Sequence, residues 1–124
     1  MNLNEPLKTV IIFQQDNDMP VEKMVEAAAH ALLRVESEWY FLLDMSNQYR
    51  KPLKASLPKC SIKTVIDNED FDQIIEKCKK EGLPYGVERA FKRKSNNPIV
   101  CLVVGPDLNS KVNKVTRKLK KLKQ

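Results

Sequence analysis

One histidine, His30, is the only side chain in the 124 residues that titrates near neutral pH without help from its surroundings. It lies in the alanine-rich stretch VEKMVEAAAHALLRV, residues 21–35. Wound as an ideal helix, that stretch puts Lys23, Glu26, Ala27, His30 and Arg34 on one face. An imidazole in such company can accept a proton from water. Glu26, four residues earlier, is near enough to orient it, and Lys23 can pair with a phosphate or an oxyanion. This amounts to half of a hydrolytic site. The same stripe reads as the solvent face of any amphipathic helix, and spacing alone does not separate the two readings.

A second set of candidates lies in VERAFKRKSNNPIV, where Arg89, Lys92, Arg93 and Lys94 surround a single acid, Glu88. Such point charges and guanidinium forks suit a phosphate backbone. The plain alternative is a solvated hairpin tip, where Lys and Asn discourage edge pairing. The net charge of +6 comes largely from this stretch and from the tail Lys111–Lys123. A polyanion such as RNA would be drawn to that surface, although the charge also serves solubility. Three cysteines, Cys60, Cys78 and Cys101, are odd in number and far apart, without zinc-site spacing. Each sits in a hydrophobic pattern and is expected to be a small buried apolar residue in a reducing compartment. No metal site and no cofactor is expected.

The elements that must position these groups follow from periodicity. Lys8–Gln14 reads as a buried strand, followed by a polar loop. Pro20 suits the first turn of a helix whose apolar positions Val21, Met24, Val25, Ala28 and Leu32 recur at helical spacing, with an end near Val35. The stretch Glu36–Pro58 is ambiguous: Trp39, Phe41 and Leu43 alternate like a strand, while Tyr40 and Leu43 fit a continued helix. Ser61–Ile66 is a strand, with Asp67 and Asn68 as caps for a helix marked by Phe71, Ile74, Ile75 and Cys78 and closed by Gly82. Leu83–Phe91 and Ile99–Val104 read as two strands joined by the basic turn, the second apolar throughout and stopped by Gly105-Pro106. A last helix begins near Asn109 or Ser110, with Val112, Val115, Leu119 and Leu122 on one stripe. The expectation is one α/β domain over residues 1–124, a three-layer α-β-α sandwich with a small mixed sheet of about four strands. With 42% hydrophobic residues, no stretch near the ~20 apolar residues of a membrane span and no signal-peptide pattern, a cytoplasmic protein is expected.

Several words in this order resemble the archaeal/eukaryotic type of peptidyl-tRNA hydrolase. That family's first helix carries a lysine, a glutamine four residues on, and a His-Ala pair seven residues after the lysine. Lys23 and His30-Ala31 match, with Ala27 in place of the glutamine. KTVIDNEDFDQIIEKCKKEGLPY, IVCLVVGP and VNKVTRKLKKL are similar to the family's later strand, helix and closing segments. The resemblance covers Lys8–Val35 and Cys60–Leu122. It implies a small mixed sheet between helices and an activity on the ester joining peptide to tRNA. Between the late strands the family carries an Asp-Ala-Gly turn followed by threonines, where this chain has Arg89, Lys92 and the nearby Glu88.

Three functions from different classes follow. One is a catalytically divergent relative that binds tRNA or another RNA through Arg34, Arg89, Lys92, Arg93 and Lys94. Another is an active hydrolase in which His30, Lys23 and Glu88 carry the reaction. The last is a protein-interaction module on the same fold, whose sign would be a stable homodimer.

Overall fold

The computed structural model describes residues 6–15, 18–45, 59–90 and 98–121, and only the backbone for 36–45. Its centre is β1 (Leu7–Gln14), an alternating strand whose Val10 and Ile12 enter one core while Ile11 and Phe13 enter another. A strand buried on both faces must lie between layers. It pairs in parallel with β2 (Lys59–Val65) and antiparallel with β4 (Ile99–Leu108). Outer positions go to β3 (Tyr85–Arg89) beside β4 and to the two-residue β5 (Lys120–Lys121) beside β2, giving the order β3-β4-β1-β2-β5. One face is covered by α1 (Val21–Met45), through Phe13, Ala27, Ala31, Val35, Cys101 and Val103. The other is covered by α2 (Glu69–Glu81) and α3 (Asn109–Thr116), around Phe71, Ile74, Leu102 and Val112. The three-layer sandwich with a small mixed sheet is what the sequence pattern implies.

Local signals explain the element ends. Gly82 takes φ +68°, and the amides of Gly82 and Leu83 close the last turn of α2 on the carbonyls of Lys79 and Cys78. Only glycine takes that left-handed position without cost. At the start of α2, the Asp67 amide donates to Asp70 Oδ2 at 3.0 Å, and Asn68 Nδ2 donates to the Ile99 carbonyl at 2.9 Å. Asn68 thus ties the helix to β4 instead of capping it with its side chain.

Five expectations need correction. Helix α1 continues to Met45, well past Val35, because Glu36–Met45 contains neither glycine nor proline and alternation alone does not break a helix. Its inward face is also different. Ala27, Ala31 and Val35 are buried, while Val21 and Val25 are 74% and 63% exposed and Leu32 is exposed too. Strand β4 runs through Gly105-Pro106 to Leu108, because the proline sits where the register against β1 shifts, a place where no ladder donor is needed. Helix α3 stops at Thr116, whose hydroxyl bonds back to the Val112 carbonyl at 2.9 Å, and the chain then turns to pair Lys120 and Lys121 with the open edge of β2. Leu122 lies outside the described residues. Finally, Cys60 is exposed at the start of β2, while Cys78 and Cys101 are buried as expected.

Candidate functional site

The site begins with a missing side chain. Gly86 on β3 faces the Ala31 carbonyl and Val35 of α1 so closely that a Cβ there would collide with both. Small residues on both partners bring helix and strand together. Along β3 the side chains alternate, so Glu88 shares the α1 side with Gly86. His30 and Arg34, one helical turn apart, then stand above that carboxylate.

Glu88 is held from two sides. Its Oε2 is hydrogen-bonded to His30 Nδ1, and its Oε1 accepts from Arg34 Nη1 at 2.8 Å. Arg34 Nη1 donates to the Val87 carbonyl as well. Burial pushes the Glu88 carboxyl upward, but the hydrogen bonds from His30 and Arg34 and their positive charge outweigh it and hold it below the usual carboxylate value. Glu88 is therefore ionised at neutral pH. A carboxylate only accepts, so the proton of a neutral His30 sits on Nδ1 and the lone pair on Nε2. The His30 side chain is 48% exposed against 15% for Glu88, and Nε2 has no partner among the described residues. A sheltered acid that orients a half-open imidazole has the makings of acid–base chemistry.

The other predicted site residues fall as follows. Glu26 does not reach His30; it pairs with Lys23 at 3.5 Å, and both are well exposed. The acid that orients His30 is Glu88. Lys23 lies seven residues before His30, about 10 Å along the helix axis. Ala27 is buried in the α1 layer. Arg34 is 57% exposed and bound to Glu88. Arg89 ends β3 opposite Ile99, on the other side of the strand from Glu88 by alternation. Lys92, Arg93 and Lys94 lie outside the described residues. Among the described residues no cluster of three or more His, Cys, Asp or Glu could hold a metal ion, and no helix is long and apolar enough to cross a membrane. Gly86 escaped sequence reading altogether. Its only sign was a glycine at the second position of a short strand, which marks close backbone approach.

The family model for the peptidyl-tRNA hydrolase PTH2 matches residues 7–122. The chain belongs to this family. A peptidyl-tRNA hydrolase of the archaeon Methanocaldococcus jannaschii is 25% identical over 121 residues, which is 94% of this chain and 100% of the relative. The match spans both helical layers and all five strands, so the PTH2 fold accounts for the chain from β1 to β5. Within that PTH2 fold, His30, Arg34 and Glu88 form a polar cluster where α1 crosses β3.

Proposed function

We propose that this chain acts on peptidyl-tRNA and cleaves the ester between the peptide and the ribose, with His30 as the base and Glu88 as the residue that positions it. The observation that carries the reading is the His30 Nδ1–Glu88 hydrogen bond, which leaves Nε2 free and half-open to solvent. In this reaction Nε2 takes a proton as water attacks the carbonyl carbon. The imidazolium, steadied by Glu88, then gives that proton to the departing ribose oxygen. The products are a peptide acid and a tRNA with a free hydroxyl. Arg34 keeps N–H donors beyond its Glu88 contact and is near enough to His30 to face the developing oxyanion. Lys23, about 10 Å away, suits a phosphate of the tRNA end better than the reacting carbon. The reading also implies a cytoplasmic protein.

The test is turnover of a model peptidyl-tRNA by the full chain. His30→Ala is expected to reduce kcat by about 100-fold or more, and Glu88→Gln by about tenfold or more with the KM changed little. No turnover at high enzyme concentration would end the hydrolytic reading.

Two departures from the family pattern support a second reading, that of a silent relative which binds tRNA or another RNA. Ala27 replaces the glutamine, and VERAFKRKSNNPIV replaces the acid-and-threonine turn. It predicts RNA affinity that falls steeply with salt in the absence of any turnover.

A further inference from the structure

On the face of the sheet opposite His30, α2, α3 and the ends of β2 and β5 enclose an open groove of about 430 Å³. Five cations line it, Lys77, Lys114, Arg117, Lys118 and Lys120, against one acid, Asp70. Of the five, only Lys114 has an ion-pair partner among the described residues, Glu81 at 3.3 Å. Asp70 is occupied in turn by the Asp67 amide. Four positive side chains without acid partners among the described residues give the hollow a net positive field that attracts an anion.

The charge continues past the groove. Lys63 and Lys121 face each other across the β2–β5 ladder. On the next strand, Lys8 is pushed below the usual amine value by burial and then by the charges of Lys63, Lys121 and Lys59. Lys8 and Lys63 satisfy their ammonium groups on neutral oxygens, those of the Asn113 side chain and the Leu119 carbonyl. The groove and this strip form a single positive band along the α2–α3 side and the β5 edge.

We infer that this groove is a second binding site, which takes the sugar–phosphate backbone of an RNA strand. Its position supports this: it opens beyond the carboxyl ends of the parallel strands β1 and β2, at Gln15 and Ile66, where ligands of α/β sheets commonly sit. Its volume matches a nucleotide-sized group and greatly exceeds a lone phosphate. Gln15 and Gln73 add amide donors and acceptors that can meet a ribose hydroxyl or a base edge, and Ile66, exposed at the rim, offers a base an apolar surface. A protein partner would want a central aromatic anchor, and no aromatic side chain lines the groove.

The site is separate from the acid–base pair. His30 and Glu88 lie at the β3 edge under α1, whereas the groove lies at the β2–β5 edge under α2 and α3. Three strand spacings, about 14 Å, and the thickness of the sheet separate them. A small substrate cannot touch both, but a folded RNA can.

A labelled single-stranded RNA of about twelve nucleotides, titrated into the full chain at several salt concentrations, tests the inference. In the double variant Lys77→Ala/Lys118→Ala, affinity at low salt should fall at least about tenfold, and the salt slope should shrink by about 1.4, or about 0.7 for each phosphate no longer neutralised. The control Lys79→Ala/Lys80→Ala removes the same charge from α2, where Lys77 also lies, but outside the groove, and should stay within about twofold. Equal loss in both doubles means diffuse attraction and overturns the site; so does no loss in either. A lysine-acetylation footprint on the unaltered protein gives an independent reading. Bound RNA should protect Lys77 and Lys118 while Lys79 and Lys80 still react, and the reverse pattern would overturn the assignment. The probe carries no ester, so failure here and failure of hydrolysis are read separately.

Discussion

On one side of the sheet, α1 packs through Ala27 and Ala31, with Gly86 of β3 close against it; on the other, α2 and α3 pack around Phe71, Ile74, Leu102 and Val112. Small residues let backbones approach, so the polar side chains beside them reach across and pair: His30 and Arg34 with Glu88. Large residues fill the other layer, and the cations at its rim stand apart, most of them without acids. The first arrangement fixes the orientation of one imidazole and gives it an ionised neighbour, which is what proton transfer needs. The second fixes nothing but offers charge over an area, which is what a backbone of phosphates needs. The small residues where α1 crosses β3 thus admit the close polar pairing found on that face.

Breaking the large-residue layer should cost the most and leave the acid–base pair untouched. Phe71 is fully buried, and Phe71→Ala is expected to destabilise the chain by about 3–5 kcal/mol in urea unfolding. On the proposed hydrolysis, whatever protein remains folded should keep its rate per folded molecule. The small-residue layer should respond in the opposite way. Gly86→Ala puts a Cβ against the Ala31 carbonyl, so the stability loss is smaller, about 1–3 kcal/mol, but α1 must shift away from β3. The folded variant should lose turnover about as severely as Glu88→Gln. If Phe71→Ala abolished turnover per folded molecule while Gly86→Ala spared it, the division between the two layers would be wrong.

Much of this architecture is legible in the residues. The apolar runs of β1 and β4, the helix that closes at Gly82 and the order of strands and helices all follow from local pattern, because each element's own sequence dictates them. What sequence does not carry is which neighbour an element meets. Val21, Val25 and Leu32 have the spacing of a core face, yet the helix turns Ala27, Ala31 and Val35 inward, where Gly86 on β3 leaves room for the Ala31 carbonyl and the Val35 side chain. The same limit applies to the site. Glu26, four residues from His30, is the nearer acid along the chain, and it serves Lys23 instead. Glu88, 58 residues away, reaches the imidazole only because α1 packs tightly on β3. The end of the last helix also depends on something distant, the open edge of β2 that captures Lys120 and Lys121.

The smallest expected effect isolates the pairing itself. The groups facing Glu88 are His30 and Arg34 from α1 and, across the ladder, Cys101 of β4. The folded-state value of Glu88 lies below its ordinary 4.5, so the folded chain holds fewer protons than the unfolded chain as acid is added. The stabilisation from Glu88 is therefore fully present above about pH 5 and disappears as the pH falls through the lowered value. Because His30 and Arg34 are both about half exposed, it should amount to about 1 kcal/mol or less. Glu88→Gln keeps the shape and removes the charge, so its urea midpoint should lie below that of the parent at pH 7 and close on it at acid pH, once the carboxyl is protonated. A gap of the same size at both pH values would mean that packing, not charge, holds the side chain, and the contrast between a paired face and an unpaired one would lose its electrostatic basis.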